Sequence, residues 1–468
     1  MNETRTGSPD RPARIAIIGS GPAGFYTAEH LLKSEDPACE VDLFDRLPTP
    51  YGLVRAGVAP DHPKIKSVTR VYERTAAREG LRDFGGVEIG KDLTVEELRQ
   101  RYHAIVLAYG SSTDRKLGIP GEDLPGSHAA TEFVNWYTAH PDFADREFDL
   151  SAKRAVVIGN GNVAADVARM LALAGEELAQ TDTADHAIEA LPSSGIEEIV
   201  VLGRRGPAQA AFTNPELREL SEMLEADLII DPGEAELDAA SRDSLDSEDG
   251  DPTRRRNVEM IEEFAGREPE GKPKRIVLRF CASPIEIQGD GKVERLVIGR
   301  NELTSDGERI TARDTGEREE IECGLIFRSI GYRGVPMEGV PFDEDRGTIS
   351  NLDGRVTDPD SGEQVPGLYT VGWIKRGPSG VIGTNKKDAQ ETADNLLADI
   401  GAGMHLEAEL AEDREAMPAL LAERKPDAVA FEEWEKIDAA EVAKGEPQGR
   451  PRVKFTSIPE MLEAAKGP

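Results

Sequence analysis

The chain has 468 residues, a length that suggests roughly two to four domains of ordinary size. Hydrophobic residues make up 38% of it and charged residues 31%, with 46 Gly and 30 Pro, which supports folded cores with many turns and excludes a mostly disordered or fibrous chain. The 89 acidic residues outnumber the 56 basic ones, and the net charge of −33 makes nucleic acid and anionic membrane surfaces poor partners because like charges repel.

The residue pattern predicts neither a membrane span nor a metal centre. No apolar run approaches the roughly 18 residues that a membrane helix needs, and residues 1–12 are too polar for a secretory signal. Cys39, Cys281 and Cys323 lie far apart without a C-x-x-C motif, and the seven histidines lack metal-ligand spacing. We therefore expect a cytoplasmic protein in which any redox chemistry depends on a bound organic cofactor.

The first predicted elements form a strand–helix–strand unit. Residues 13–19 are apolar except for Arg14 and predict a buried strand. A helix is predicted over about 21–33 and a second strand over 40–45. A near copy of this unit begins at Lys153. Two such units predict two doubly wound α/β domains.

The second unit and the elements after it complete the predicted order. Its strand, helix and second strand are predicted at 154–159, about 163–178 and 198–203. A solvated acidic loop, a strand pair, a short strand and a long helix are then predicted at 234–251, 275–287 with 293–303, 367–372 and about 386–398. Beyond residue 405 we expect peripheral helices and loops.

A dinucleotide fingerprint, Gly19-Ser20-Gly21-Pro22-Ala23-Gly24, lies between the first strand and helix. Gly19 permits a tight turn, Gly21 lets the backbone approach a pyrophosphate, and Gly24 lets the helix pack on the strand. The amino end of the helix offers N–H groups and a positive dipole to phosphates. Asp45 ends the second strand, where an acid accepts hydrogen bonds from ribose hydroxyls. The alternative, a structural Gly-rich turn, leaves Asp45 unexplained.

The second unit carries a related fingerprint, Gly159-Asn160-Gly161-Asn162-Val163-Ala164. Here the second strand ends in Gly203-Arg204-Arg205-Gly206 instead of in an acid. Two adjacent guanidiniums suit a 2′-phosphate, although a solvated turn is the alternative. Because one unit ends in an acid and the other in two arginines, we expect two different dinucleotides, FAD on the first unit and NADP(H) on the second.

Several longer segments resemble the adrenodoxin reductase-type ferredoxin–NADP reductases, in particular the actinobacterial members. The segments are residues 19–26, Tyr51-Gly-Leu-Val-Arg-Ala-Gly-Val-Ala-Pro-Asp-His-Pro63, 159–166, 203–207 with Phe212-Thr213, Gly372-Trp-Ile-Lys-Arg-Gly-Pro-Ser-Gly-Val-Ile382 and 431–436. The resemblance implies an α/β fold with two doubly wound dinucleotide-binding domains. An NADP domain, residues 112–329, would be inserted into an FAD domain formed by residues 1–111 and 330–468.

The resemblance also implies which residues contact the cofactors. For FAD they are Gly19, Gly21, Ala23, Gly24, Asp45, Leu53, Ile89, Trp373, Gly380, Val381 and Ile382. For NADP they are Arg115, Asn160, Gly161, Asn162, Val163, Arg204, Arg205, Glu216 and again Gly380. The family often has Glu where this chain has Asp45, so we expect a shorter or water-bridged ribose contact.

Four of the candidate residues have a structural alternative. Trp373 could be a core aromatic, and Gly380 an ordinary entry to the long helix. Glu216 could close a capping box with Thr213. His62, which with Asp166 is a candidate proton relay during flavin reduction, could be a hydrogen-bonded structural histidine. Hydride transfer itself needs mainly the positioning of the two cofactors.

The resemblance implies a ferredoxin or a similar iron–sulfur protein as the partner. Ferredoxins are usually acidic, so docking on this acidic chain requires a local basic surface. We predict that surface at Arg254, Arg255 and Arg256, which interrupt acidic surroundings. The alternative is a helix face formed at i, i+4 spacing by Lys66, Arg70, Arg74 and Arg78.

The function predicted from the sequence is that of an FAD-dependent NADPH–ferredoxin oxidoreductase. NADPH would reduce FAD by hydride, and single electrons would pass to the iron–sulfur protein. An NADPH-dependent reductase of quinones or other small acceptors is the enzymatic alternative, and a nucleotide sensor without turnover is the other. The absent C-x-x-C disfavours a thiol–disulfide reductase, and three isolated cysteines cannot supply the usual four ligands of an iron–sulfur cluster.

Overall fold

The computed structural model describes residues 5–247, 250–305 and 309–467. Its strands, in chain order, are β1 Ala13–Ile18, β2 Cys39–Phe44, β3 Leu81–Phe84, β4 Ala104–Leu107, β5 Thr113–Asp114, β6 Ser127–Ala129, β7 Arg154–Ile158, β8 Glu198–Leu202, β9 Ala226–Ile230, β10 Lys274–Arg279, β11 Ala282–Gln288, β12 Arg295–Ser305, β13 Ile310–Glu322, β14 Leu325–Arg328, β15 Tyr332–Arg333, β16 Asn351–Leu352, β17 Arg355–Thr357 and β18 Gln364–Thr370.

The helices are, in chain order, α1 Pro22–Leu31, α2 Leu53–Ala56, α3 Pro63–Lys66, α4 Thr69–Ala76, α5 Val95–Arg99, α6 Ala130–Tyr137, α7 Asn162–Ala172, α8 Gly175–Leu178, α9 Asp185–Ala190, α10 Asn214–Ser221, α11 Pro232–Ala235, α12 Ala239–Asp246, α13 Pro252–Ala265, α14 Trp373–Arg376, α15 Thr384–Gly401, α16 Ala416–Arg424, α17 Phe431–Gly445 and α18 Ile458–Ala465. Single 3₁₀ turns lie at Pro207–Gln209 and Glu446–Gln448. Within the described ranges, no helix combines the length and the apolar character needed to cross a membrane.

The chain divides into two compact units, of which the first is discontinuous. Unit 1 comes from residues 1–113 and 332–468, and unit 2 from residues 114–331. Unit 1 needs both ends of the chain because β18 completes its sheet, with Tyr369 opposite Val106 of β4. The boundaries predicted from the sequence follow residues 111 and 329, two residues before the observed ones.

Unit 1 is built on a seven-stranded sheet in the order β16-β17-β18-β4-β1-β2-β3. The strands from β18 to β3 run parallel, and β16 and β17 add an antiparallel edge. Strand β1 is buried throughout, with Ile15 and Ile17 in one core and Ala16 and Ile18 in another. Its neighbours β2 and β4 lie on opposite sides, an arrangement that opens a ligand crevice at the carboxyl end of β1.

Unit 2 repeats this arrangement in a six-stranded parallel sheet, ordered β6-β14-β7-β8-β10-β9. Strand β7 takes the position that β1 has in unit 1, between β8 and β14. A separate antiparallel sheet, β11-β12-β13, packs Ile287 and Leu296 into one core with Val156 of β7. The predicted fold class, two doubly wound α/β units with one inserted into the other, is confirmed.

Three predicted elements were wrong in detail. The acidic loop contains α12, because Asp238 accepts a hydrogen bond from the Ser241 N–H and caps a turn that buries Leu245. The helix predicted over about 163–178 is two helices, because α7 ends at Ala172, Leu173 has a non-helical ψ of 142°, and α8 begins at Gly175. The first strand of the predicted pair is two strands, β10 and β11, separated where Cys281 has a φ of +52°. The long helix after residue 380 is confirmed as α15.

Candidate functional site

The first fingerprint forms the turn between β1 and α1. Gly19 has a φ of +110°, and a Cβ there would come 2.5 Å from the carbonyl oxygen of Ala108. A Cβ on Gly24 would overlap the carbonyl oxygen of Gly19. Gly21 differs from both, because its backbone is extended and a Cβ would meet nothing nearer than the Gly52 Cα at 4.0 Å. The fold itself therefore requires Gly19 and Gly24, whereas the open space at Gly21 is what the approach of a pyrophosphate requires.

Asp45 is held beside this turn, directly after β2. Its Oδ2 accepts hydrogen bonds from the N–H of Ser20 at 2.9 Å and from the Ser20 hydroxyl at 2.6 Å. Its Oδ1 accepts one from the N–H of Leu47 at 3.0 Å. These bonds leave part of the acceptor capacity of the carboxylate unused. The half-buried carboxylate is thus oriented at the crevice, where ribose hydroxyls are expected.

The amino ends of two helices meet next to Gly372. This glycine has a φ of +79°, and a Cβ there would lie 2.7 Å from the Cβ of Ala23 in α1 and 3.6 Å from the Oδ1 of Asn385 in α15. Helix α15 packs along α1, so both positive helix ends face the same region. Anionic groups such as phosphates or a reduced flavin ring are favoured there.

The other residues predicted to contact FAD occupy four places in unit 1. Leu53 begins α2, just after Gly52, and is half-buried. Ile89 is buried in the same core as Ile105 and Leu107 of β4. Trp373 is half-buried at the start of α14 and its ring lies 5.1 Å from that of Tyr332. The last group, residues 380–382, leads into α15, and its middle member, Val381, exposes 57% of its surface.

The second fingerprint repeats the geometry of the first within unit 2. Gly159 has a φ of +138°, and a Cβ there would overlap the carbonyl oxygen of Ser329. Gly161 is the extended N-cap of α7, and a Cβ would meet only the Ala211 side chain, at 3.8 Å. Again the first glycine is needed by the fold, whereas the second leaves open space at the amino end of a helix.

The two asparagines of this fingerprint tie it to the chain after Gly206. The carbonyl of Asn160 accepts a hydrogen bond from the N–H of Ala211 at 2.9 Å. The Oδ1 of Asn162 accepts one from the N–H of Thr213 at 2.8 Å. Val163 follows in the first turn of α7 and is half-buried. The Asn162 side chain therefore shapes the loop, and its backbone is the part left for a phosphate.

Arg204 and Arg205 present their side chains to solvent at the end of β8. Their backbone is fixed, since the amide of Asn301 donates to the Arg204 carbonyl at 2.8 Å and the N–H of Cys281 donates to the Arg205 carbonyl at 3.1 Å. Partial burial, and then repulsion from Arg204 and Arg254, lower the pKa of Arg205. Within the described part of the chain neither arginine has an ion pair, so the pair is poised for an anion.

Arg115, the remaining predicted NADP contact, lies near the start of unit 2. Its side chain is exposed, and its backbone N–H donates to the carbonyl of Gly331 at 3.0 Å. This bond fixes the backbone of Arg115 and leaves its guanidinium to reach a ligand.

Glu216 is buried in α10 and faces Arg169 of α7. The Arg169 guanidinium, itself 2% exposed, lies 3.2 Å from Glu216, 2.8 Å from Asp166 and 3.3 Å from Glu219. Thr213 is the N-cap of α10 but its side chain makes no capping bond, so the alternative of a capping box was wrong. Sequence reasoning missed Arg169, although a lone arginine in the apolar stretch of α7 was a signal that it needed a buried partner.

The two candidates for a proton relay belong to different units. His62, half-buried, is the N-cap of the short helix α3 in unit 1. Asp166 lies in the first turns of α7 in unit 2 and pairs with Arg169. Their joint role stays a prediction.

A cavity of about 500 Å³ in unit 2 lies at the opposite edge of the sheet, near the amino ends of β7 and β8. Its walls carry opposite charges in pairs, such as Arg154 with Glu198 and Lys292 with Asp149. Cofactors bind doubly wound sheets at the carboxyl edge, so this cavity is separate from the candidate site.

Comparison with known proteins gives concordant matches. Residues 13–201 match the family model described as pyridine nucleotide-disulphide oxidoreductase. Over 465 residues the chain is 51% identical to the NADPH-ferredoxin reductase FprA of Mycobacterium tuberculosis (strain ATCC 25618 / H37Rv), covering 98% of this chain and 100% of the relative. Over 473 residues it is 41% identical to the mitochondrial NADPH:adrenodoxin oxidoreductase of Salvelinus fontinalis, covering 98% and 93%. The solved structure of Mycobacterium tuberculosis FprA in complex with NADPH has a TM-score of 0.92 at 50% identity and covers 98% of this chain and 100% of that chain.

Proposed function

This chain belongs to the adrenodoxin reductase-type ferredoxin–NADP reductases, and on that basis we propose that it transfers electrons from NADPH through bound FAD to a ferredoxin. The predicted family is therefore confirmed. One observation of its own geometry carries the proposal. Two fingerprints of the same shape follow β1 and β7, which belong to separate sheets. The next strand is followed by Asp45 in unit 1 and by Arg204 and Arg205 in unit 2. That asymmetry matches two different dinucleotides.

Unit 1 is assigned to FAD. Bound FAD supplies the chemistry that converts a hydride into single electrons. The open space at Gly21 accommodates the pyrophosphate, and Asp45 orients the ribose. The paired helix ends at Gly372 favour negative charge on the flavin side. Gly380, Val381 and Ile382 then line the ring, and an aromatic ring system would cover the exposed side chain of Val381. Leu53, Ile89 and Trp373 supply the remaining apolar contacts.

Unit 2 is assigned to NADP(H). Backbone N–H groups at Asn160, Gly161, Asn162 and Val163 face the phosphates at the amino end of α7. Arg204 and Arg205 bind the 2′-phosphate, and Arg115 adds a further cationic contact. Glu216, held by Arg169, contacts the nicotinamide half of the nucleotide. Gly380 is the further NADP contact that the resemblance implies.

The partner is an iron–sulfur protein, and we place its docking surface at Arg254, Arg255 and Arg256. The contacts within this cluster differ between its members. Arg255 donates to the carbonyls of Leu245 and Ser247, at 2.6 and 2.9 Å, so it mainly supports the chain. Arg256 is exposed and holds a surface ion pair that an acidic partner can replace at little cost, because such pairs are worth about 0–1 kcal/mol.

The alternative docking face lies on α4 and next to it. Arg70, Arg74 and Arg78 are exposed, and within the described ranges none of them forms an ion pair. An acidic side chain of the partner protein could pair with these arginines without breaking an existing ion pair. Comparing ferredoxin reduction by R256A with that by R74A separates the two surfaces, since only the true docking surface should lose efficiency at low salt.

Anaerobic addition of NADPH to the FAD-loaded protein tests the proposal. NADPH should bleach the yellow flavin band, and NADH should do so poorly. Reduction of cytochrome c by NADPH should then depend on an added acidic ferredoxin. A bleached flavin with quinone reduction but no ferredoxin dependence would establish the small-acceptor alternative instead, and an unbleached flavin would exclude the enzyme. We expect this activity in the cytoplasm, in agreement with the three free cysteines.

A further inference from the structure

Arg254, whose side chain is 55% exposed, lies at the amino end of α13 in line with the buried face of that helix. That helix buries Asn257, Val258 and Ile261, which lie three, four and seven residues further along. Residues at these spacings share one face of a helix. Side chains in a helix also lean toward its amino end. Arg254 therefore sits one turn before Val258 on the side of α13 that faces the body of unit 2, whereas Arg256 points elsewhere and pairs with Glu259.

That face packs directly against the segment after Arg205. Val258 lies in one small apolar cluster with Ala208 and Leu245. Ala208 belongs to the 3₁₀ turn that begins two residues after Arg205. The amino end of α13 is thus seated next to the arginine pair.

A chain of hydrogen bonds fixes this placement relative to the fingerprint. Asn162 accepts from the N–H of Thr213 at 2.8 Å. The next residue, Asn214, donates its amide to the carbonyl of Thr253 at 2.9 Å and to the Oδ1 of Asn257 at 2.7 Å. The Asn257 amide in turn donates to the carbonyl of Phe212 at 2.7 Å. The residue before Arg254 is thereby bound to the loop that follows the nucleotide-binding glycines.

The charges at this place do not balance within the described residues. Arg204, Arg205 and Arg254 form a cationic cluster, and repulsion from the other two is among the causes that lower the pKa of Arg205. Among the described residues, the acid that pairs with Arg254 is Asp251, and its carboxylate lies 3.8 Å from the guanidinium, beyond hydrogen-bond distance. Asp251 already accepts from the N–H of Thr253 at 2.8 Å as the cap of α13. On a chain of net charge −33, three clustered guanidiniums indicate a dianionic ligand.

We propose that Arg254 is a third residue that recognises the 2′-phosphate of NADP(H), together with Arg204 and Arg205. This inference rests on the proposed function, since it deepens the nucleotide specificity of the same site. It also divides the basic cluster on α13 by role: Arg254 serves the nucleotide, Arg255 supports the chain, and Arg256 meets the partner. Three guanidinium groups around one phosphate would give a hydrogen-bonding contact to each of its terminal oxygens.

The test measures binding of adenosine 2′,5′-bisphosphate and of 5′-AMP to the FAD-loaded full chain by titration calorimetry. The two probes differ only at the 2′-phosphate. R254A should weaken the bisphosphate about tenfold, the lower end expected for a charge-assisted hydrogen bond, and leave 5′-AMP unchanged. R254K keeps the positive charge but lacks the planar guanidinium, so its affinity for the bisphosphate should lie between those of wild type and R254A. The matched control is R267A, which removes an exposed arginine paired with Glu263 just beyond the same helix and should leave both constants unchanged.

The outcomes separate this inference from the proposed function. A wild-type protein that binds both probes equally would overturn the assignment of NADP(H) to unit 2. A wild-type protein that prefers the bisphosphate, with R254A behaving like wild type, would overturn the role of Arg254 alone. Equal weakening of both probes in R254A would also overturn it, because the loss would then be structural. Unchanged bisphosphate binding with a raised KM for ferredoxin would return Arg254 to the docking surface.

Discussion

The guanidinium of Arg169 lies 3.2 Å from the carboxylate of Glu216, and both side chains are buried in unit 2. The same guanidinium holds Asp166 at 2.8 Å. One buried arginine on α7 thus orients both Glu216, which was predicted to contact NADP, and Asp166, which was predicted to take part in a proton relay. Because removing one partner of a buried ion pair leaves the other charge uncompensated, the arginine is a structural requirement of this part of the site.

Replacing Arg169 with Gln should therefore destabilise unit 2. We expect a loss of about 3–5 kcal/mol at neutral pH, the usual cost of breaking a buried pair. Calorimetry of the FAD-loaded protein should show a lower thermal unfolding midpoint for the variant. Steady-state kinetics should show a raised KM for NADPH, since Glu216 loses its ion pair with Arg169. R267A is the control, because an exposed pair is worth about 0–1 kcal/mol. A midpoint equal to that of wild type would show that the cluster does not depend on Arg169.

The second glycine of each fingerprint offers a reciprocal test of the cofactor assignments. At Gly21 and at Gly161 the backbone is extended and a Cβ would meet only one atom, at 4.0 and 3.8 Å, so the protein itself tolerates a side chain. G21V should lose FAD, because the side chain fills the space of the pyrophosphate. G161V should keep FAD and lose NADPH binding. Each variant is the control for the other.

The readouts are the flavin content after gel filtration and the dissociation constant of NADPH. Full flavin content in G21V would remove the assignment of unit 1. Loss of flavin in G161V would mean that the two sites had been exchanged or that the variant does not fold.

Arg204 and Arg205 should determine the preference for NADPH over NADH. The two nucleotides differ only at the 2′-phosphate, and two charge-assisted contacts are worth on the order of 10² to 10⁴ in preference. The double variant R204A/R205A should raise the apparent KM for NADPH by that factor and leave the KM for NADH nearly unchanged. The maximal rate of flavin reduction should change little, because neither residue touches the reacting ring.

Stopped-flow reduction of the flavin by each nucleotide measures both quantities. If the double variant kept its full preference, the phosphate would be recognised elsewhere, and Arg115 would be examined first.

His103 should make stability depend on pH. Burial, followed by repulsion from His405, lowers its pKa from 6.5 to about 4, and the ring also faces Glu412, Arg11 and Arg14. Its Nδ1 accepts the backbone N–H of Arg14 at 3.0 Å and must stay unprotonated to do so. The folded state therefore binds this proton less readily than the unfolded state. The contribution to stability is complete above pH 6.5 and is lost as the pH falls toward 4.

The variant H103Q retains an acceptor for Arg14 but does not titrate. Its thermal midpoint should fall less than that of wild type between about pH 7.5 and pH 5. Identical slopes for the two proteins would assign the acid sensitivity to other groups.

The two dinucleotide units and their different cofactors could be predicted from residue patterns alone. Their signals are local, because a tight turn demands glycine at a fixed position and a strand end places Asp45 or Arg204 at a known distance from it. Such local patterns do not show which residues distant in the sequence pack against each other. The folded chain was needed to bring Glu216 to Arg169 and to set Gly372 where the amino ends of two helices meet.

The errors have the same physical origin. Eight of the residues 234–251 are acidic and one is basic, so composition predicted a loop. In the structure Leu245 packs against Ala208 and Val258, and this burial stabilises helix α12. Composition averages over a segment, whereas burial depends on which individual side chains pack against the rest of the fold. The proposed role of Arg254 rests on the same distinction. Its neighbours in the sequence made it part of a basic surface, whereas we assign it to the nucleotide because α13 packs against the segment that follows Arg205.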